Sequence, residues 1–470
     1  MARLAPLFAA AASLGVVLAT PPLPAAPAEG ADGQEGECLS GADEGCMLQV
    51  AAKATTVKQW AASEEPSLDF EKNLKQHLAE AMSSRGFAPG VKELFDQVME
   101  RSGAPKELTP AELKAYKSRF ESALRVGDEN FQERAEKAIV GAMPTMPEAL
   151  AERINSAGLP YKVKPEPKEV SHPDFSKGFL PLGASELGAM PRTATRDLPP
   201  SSFDTMEKWP ACKTVIGRIY NQGHCGSCWA FAASQVMNSR ICITDSKYNG
   251  MNFSLSRGYV TSCVAPVEAA LDGMQNWNGC NGGMPKWAYS YVDSYPGVPP
   301  TDCDPYFGEG AGSEHFQESK LAPPCPDACV AGYPYEMSKV MFDPIGMGSN
   351  AMQLPGAGIE YSTSGKVFDQ SKAAMQEAIM NGGPVDYAFY SGRAMQAYVS
   401  GVLNSACGKQ ANHAVTAIGW GVTGTQEYVV TVNSWGVEWG DHGMFKADWC
   451  VIWSWTNPGE ITKPVYPTTY

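Results

Sequence analysis

Residues 221–231 read Asn221-Gln222-Gly223-His224-Cys225-Gly226-Ser227-Cys228-Trp229-Ala230-Phe231. The glycines at 223 and 226 allow backbone to come close to whatever binds there. Directly after them, Trp229, Ala232, Ala233, Val236, Met237 and Arg240 fall on one face of a helix expected from Ser227 to about Arg240. Cys228 therefore opens a helix, where free backbone N–H groups and the helix dipole favour a thiolate. Other readings of the same residues stand beside this one. Cys228 can be a small buried apolar group, and the C-x₂-C spacing of Cys225 and Cys228 also suits zinc or a redox pair. Zinc is disfavoured because no second close pair follows at knuckle spacing.

Outward from the cysteine, a thiolate nucleophile needs a proton acceptor. Of the six histidines, His413 opens a short β-branched run, Asn412-His413-Ala414-Val415-Thr416-Ala417-Ile418. A second such run, Tyr428-Val429-Val430-Thr431-Val432, leads into Asn433-Ser434-Trp435-Gly436. The side-chain oxygen of Asn433 can accept the ring N–H of His413 and turn the other nitrogen toward sulfur, with Trp435 shielding the bond. Gln222 is placed to join the Cys228 N–H in stabilising an oxyanion.

The rest of the chain sets the context. Its 470 residues are 44% apolar and 10% aromatic, with a net charge of −14 and 13 cysteines. No basic stripe occurs, which argues against nucleic-acid binding. Arg3 and the apolar run Leu4–Leu18 read as a signal peptide, residues 1–20 with the cut between 19 and 26; a signal anchor is the alternative, and no later segment could span a bilayer. In an oxidising compartment most cysteines pair, and an odd thiol remains to be explained. Residues 53–143 carry helical periodicity, with a capping box at Thr109-Pro110-Ala111-Glu112, and Pro147–Ile154 can form one more helix. Prolines then dominate residues 155–200, an extended linker or a removable inhibitor lying along a cleft. Residues 21–197 form the expected propeptide and 198–470 the mature domain; retention of residues 53–155 as an extra domain is the alternative.

The mature part resembles the papain family, and within it cathepsin B. The resemblance rests on Leu198-Pro199-Pro200, Trp209-Pro210-Ala211-Cys212, the 221–231 stretch, Ser239-Arg240-Ile241-Cys242, Gly279-Cys280-Asn281-Gly282-Gly283, Asn381-Gly382-Gly383-Pro384-Val385, Asn412-His413-Ala414-Val415 and Asn433-Ser434-Trp435-Gly436, in that order. It implies an α+β fold in two subdomains, helical on the left and an antiparallel β-barrel-like one on the right, with the cleft between. It implies a cysteine peptidase made as a zymogen, with Cys228 as nucleophile, His413 as base, Asn433 as orienting residue and Gln222 at the oxyanion. Gly282, Gly283, Trp435 and His315 would line the cleft. No metal or other cofactor is required. Protein and peptide substrates, the chain's own propeptide and cystatin-type inhibitors are the expected partners, and an acidic compartment or the extracellular space the expected location. By the same resemblance Cys212 pairs with Cys242, Cys225 with Cys280, Cys263 with Cys325, Cys303 with Cys329 and Cys407 with Cys450. Cys38 with Cys46 follows only from their closeness in sequence, and Cys228 is left over.

Departures from the relative carry their own expectations. The interval Cys303–Cys325 is shorter than the relative's occluding loop, lacks its internal disulfide and holds a single histidine, His315. Internal cleavage is therefore expected over removal of C-terminal dipeptides, the latter being the alternative activity. Val451-Ile452-Trp453-Ser454-Trp455 holds no carboxylate, which favours an apolar residue two positions before the scissile bond. Asn252-Phe253-Ser254 is a glycosylation sequon, and residues 341–365 read as an inserted surface loop. A catalytically silent binding protein is the remaining alternative, disfavoured because Cys228, His413 and Asn433 are all present.

Overall fold

The computed structural model describes Lys114 and residues 146–165, 178–182, 187–189, 199–250, 253–307, 321–345, 351–357, 365–459, 461 and 463–465. The helices expected over 53–143 fall, Lys114 apart, outside the described residues, as do the signal segment, Cys38, Cys46, Asn252 and His315.

Helix α1, Glu148–Ser156, and strand β1, Tyr161–Val163, precede the expected mature domain. Strand β2, Phe203–Asp204, leads to helix α2, Cys228–Thr244. Every residue of α2 from Cys228 to Cys242 is buried. Such all-round burial marks a helix running through the centre of a domain, not along its surface. One side of α2 packs on helices α3, Ala265–Leu271, and α4, Pro285–Ser294, in a core that includes Trp229, Met237, Tyr248, Trp287 and Val340.

The other side meets a sheet. Its strands are β4, Met352–Pro355; β5, Val385–Phe389; β6, Tyr398–Leu403; β7, His413–Thr423; β8, Gln426–Val432; β9, Met444–Ala447; and β10, Ile452–Asn457, together with β1 and β2. The order is β1-β6-β9-β8-β7-β5-β10-β4, with β2 on the far end of β7. Strand β7 is buried along its first nine residues, as a central strand covered on both faces should be. A two-residue hairpin with Gly424 at φ +61° returns the chain into β8.

This sheet corrects the barrel expectation. Among the described residues the ladder has two ends: β1 pairs only β6, and β4 pairs only β10. The two end strands, β1 and β4, do not pair with each other, so the sheet stays open. It is also mixed, because β6 and β9 run parallel at Val402↔Lys446 and Leu403↔Ala447. The segment 341–365 differs too from a plain surface loop. It supplies β4 and strand β3, Asp343–Ile345, which pairs with β11, Lys463–Val465.

Residues before 198 enter this core. Met146, Leu150, Ala151, Leu159, Tyr161 and Val163 are buried with Tyr398, Leu403 and Trp439 of the sheet side. Among the described residues no helix is long and apolar enough to cross a membrane.

Candidate active site

The loop before α2 is held at several points. Cys225 is disulfide-bonded to Cys280, and Gly226 N–H donates to Cys280 O at 3.0 Å. A Cβ on Gly226 would stand 2.5 Å from that oxygen, so the close approach requires glycine. Gln222 is buried; its N–H donates to Ser434 O at 2.9 Å, its Oε1 accepts from Ser434 Oγ at 2.7 Å, and its amide nitrogen donates to Cys225 O at 2.9 Å. One of the two amide N–H bonds is committed in this way.

Strand β7 brings its first residues to the sulfur. Ala414 N–H points to Cys228 Sγ at 3.4 Å, so the neighbouring His413 lies beside the start of α2. His413 is fully buried, and its Nε2 is 2.9 Å from Asn433 Oδ1. The register Thr416↔Val432 continues past the end of β8 to set Asn433 and Trp435 alongside the start of β7. The Trp435 ring centroid is 4.9 Å from that of His413, and Phe389 closes the other side at 5.9 Å.

A short stretch before the expected mature domain lies on the sulfur. Gly283 N–H donates to Gly178 O at 3.1 Å, Leu180 N–H to Gly283 O at 3.0 Å, and Phe179 N–H to Asn412 O at 3.1 Å. Phe179 and Gly283 thus pair in parallel. A Cβ built on Gly178 would be 2.5 Å from Cys228 Sγ and 2.8 Å from the backbone of Gly226. Phe179 is buried with Cys228, Ala232, Ala388, Ala411 and Ala414, with Trp453 partly covering the cluster. Sealed in this way, the Cys228 thiol is pushed by burial up to about 12, against the opposing pull of the N–H groups of Ala414, Trp229 and Cys228 itself.

The structure joins Cys212–Cys242, Cys225–Cys280, Cys263–Cys325, Cys303–Cys329 and Cys407–Cys450, and Cys228 is the free cysteine among the described residues. Cys407, Cys450 and Asp448 put three ligand-type atoms within 4.8 Å, but both sulfurs are in the disulfide and offer no thiolate to a metal. The sequence reading passed over Gly178, Ser434 and Tyr306. Gly178 directly precedes the apolar Phe179-Leu180-Pro181-Leu182 run, and a glycine there was the available signal.

The model for the papain family cysteine protease matches residues 199–450, and the chain belongs to this family. It is a cysteine-type peptidase. The gut-specific cysteine proteinase of Caenorhabditis elegans is 29% identical over 309 residues, covering 64% of this chain and 84% of the relative. A cathepsin B-like cysteine proteinase of Schistosoma japonicum is 31% identical over 265 residues, covering 53% of this chain and 68% of the relative. Among solved structures, procathepsin B S9 of Trypanosoma congolense shares the fold at a TM-score of 0.52 and 23% identity, over 67% of this chain and 99% of the other.

Proposed function

We propose that the chain is the zymogen of an endopeptidase that works through Cys228, His413, Asn433 and Gln222. The observation that carries this reading is the His413–Asn433 hydrogen bond at the strand position next to Ala414, whose N–H meets the Cys228 sulfur. With Nε2–H donated to Asn433, proton exchange falls to Nδ1. Cys228 gives its proton to Nδ1 and the sulfur attacks the peptide carbonyl carbon. The oxygen, now an anion, takes hydrogen bonds from the Cys228 N–H and the second N–H of the Gln222 amide. Nδ1–H protonates the leaving amine as the C–N bond breaks, leaving a thioester. Water, deprotonated by His413, then releases the acid and restores the thiol. A thiol-directed active-site probe tests the class: labelling of activated protein should vanish in Cys228→Ala. Undiminished turnover in His413→Ala would sink the reading.

The inhibitory segment of this zymogen is Gly178-Phe179-Leu180, held on Gly283 and Asn412, and α1 with β1 anchors it to the sheet. Residues 1–20 act as signal peptide, 21–197 as propeptide and 198–470 as the mature peptidase, with the maturing cut between about Arg192 and Pro200. A secretory route to an acidic compartment or the exterior follows from that order. The N-terminus of acid-activated protein should begin within that interval; a start before residue 160 would mean that the helical module stays attached.

Two specificity predictions belong to this reading. Phe179 is buried against Ala232, Ala388, Ala411 and Ala414, with Trp453 packed on them, an apolar lining suited to an apolar side chain. A fluorogenic substrate with phenylalanine two positions before the cut should therefore outperform its arginine twin, and equal or better turnover of the arginine form would refute the idea. Internal cleavage should also dominate over C-terminal dipeptide removal, since a loop without its own staple loses more entropy on closing. A free-acid peptide and its amidated twin, followed by mass spectrometry, should be cut at the same internal bonds. Stepwise dipeptide loss from the free acid alone would favour the carboxydipeptidase alternative.

A further inference from the structure

The geometry points to Tyr306 as a positioning residue for the oxyanion site, acting through Gln222 and Ser227. This rests on the oxyanion role proposed for Gln222. Tyr306 is buried, three residues after the disulfide-bonded Cys303, and its ring stands edge-on to Phe231 of the nucleophile helix at 4.8 Å. Its hydroxyl donates to Gln222 O at 2.7 Å and lies 2.9 Å from Ser227 Oγ. A phenol has one proton to give. With that proton on Gln222 O, the Ser227 hydroxyl is the donor at the second contact, and the three groups form a directed chain from Ser227 through Tyr306 to Gln222.

Two consequences follow. The first is rigidity: the carbonyl of Gln222 is fixed by Tyr306 while its N–H and Oε1 are fixed by Ser434, so the side-chain amide is aimed by supports on both sides. The second concerns the helix start. Ser227 is the N-cap residue of α2, a position where serine ordinarily accepts from the N–H groups of the first turn. Here it makes no such bond, because its hydroxyl is drawn to Tyr306. The N–H groups of Cys228 and Trp229 are instead turned to the sulfur, where they oppose the effect of burial on the thiol. Tyr306 thereby keeps the first-turn donors for anionic sulfur and oxygen.

Four activated enzymes test this: wild type, Tyr306→Phe, Gln222→Ala and the double variant. Tyr306→Phe keeps the ring against Phe231 and should lower kcat about tenfold with KM changed less than about twofold, the signature of a misaimed transition-state donor. Gln222→Ala should lower kcat about a hundredfold. The double variant should be no slower than Gln222→Ala within about twofold, since the tyrosine has then lost the group it aims. The pH midpoint for alkylation of Cys228 should also rise in Tyr306→Phe, and adding Ser227→Ala should bring it back by removing the hydroxyl that competes for the first-turn N–H groups. An additive tenfold loss in the double variant, or an unmoved midpoint with normal kcat, overturns the role of Tyr306. Near-normal kcat in Gln222→Ala overturns the oxyanion reading itself and the tyrosine's role with it.

Discussion

Substituting valine for Gly178 in the precursor should make Cys228 react with iodoacetamide at least about a hundredfold faster at neutral pH, with no proteolytic cut. The added Cβ would stand 2.5 Å from the sulfur and 2.8 Å from the Gly226 backbone. The sulfur alone could shift a little. The Gly226 backbone cannot, because the Cys225–Cys280 disulfide and the Gly226–Cys280 hydrogen bond hold it. The segment itself must lift, which breaks its bonds to Gly283 and Asn412 and withdraws Phe179 from its pocket. Water then reaches a sulfur whose thiol burial had pushed up to about 12. At a solvated helix start a thiolate pKa near 7 or below is ordinary, so the reactive fraction at neutral pH grows by orders of magnitude, partly offset by weaker nucleophilicity. The rate of alkylation, read by intact mass on the uncut chain, decides it. An unchanged rate would mean that the segment does not gate the thiol.

The second large effect is a loss of stability as pH rises from about 4 to 7, much of it traceable to one carboxyl. Asp386 on β5 is buried and accepts from Tyr289 of α4 and Thr456 of β10, both at 2.7 Å. Arg240 of α2 lies near and spends its own hydrogen bonds on the carbonyls of Gly383, Pro384 and Gly459. Burial raises the carboxyl from 3.8 to about 7, although Tyr289, Thr456, its own N–H and Arg240 all pull it down. A raised folded-state value means that the folded chain binds the extra proton between the two values. Stability from this group is therefore complete below about 3.8, falls as pH climbs through the window and is flat above about 7. The ceiling is about 4 kcal/mol, or roughly 10 °C in Tm for a domain of this size. Burial also raises Glu268, Asp304 and Asp343, so they act in the same direction. Thermal melts of wild type and Asp386→Asn between pH 4.5 and 7.5 should show a clearly flatter profile in the variant. Parallel profiles would remove Asp386 as the cause. Ionisation strengthens the hydrogen bonds from Tyr289 and Thr456 and the attraction to Arg240, so the loss at neutral pH is the cost of holding a carboxylate away from water, partly offset by these contacts.

How much of this was legible in the sequence depends on the range of each interaction. The start of α2 and the strand beginning at His413 have local signatures, the helical spacing after Cys228 and the β-branched run after Asn412. The meeting of Asn433 with His413 needed only a hairpin between two recognisable strands. Tyr306 gave no local sign, since its partners lie about eighty positions earlier and its meaning comes from a loop folding back over them. The open sheet was hidden for a similar reason. Which strand lies at an edge is set by distant segments, here Tyr161–Val163 and Met352–Pro355, and the second sits in a stretch whose glycines and methionines carry little periodicity.

That arrangement has a practical bearing on anyone producing the peptidase without its leader. Strand β1 is the neighbour that covers the outer edge of β6, and the side chains around it fill the adjoining core. A chain begun at residue 198 would present Tyr398–Leu403 as a bare row of unpaired amides and carbonyls beside an uncovered apolar hollow, an invitation to intermolecular pairing. Soluble yield on refolding should fall sharply without residues 146–163 and recover when they are supplied as a separate peptide. Residues 146–163 would then matter most before the enzyme has ever cut anything.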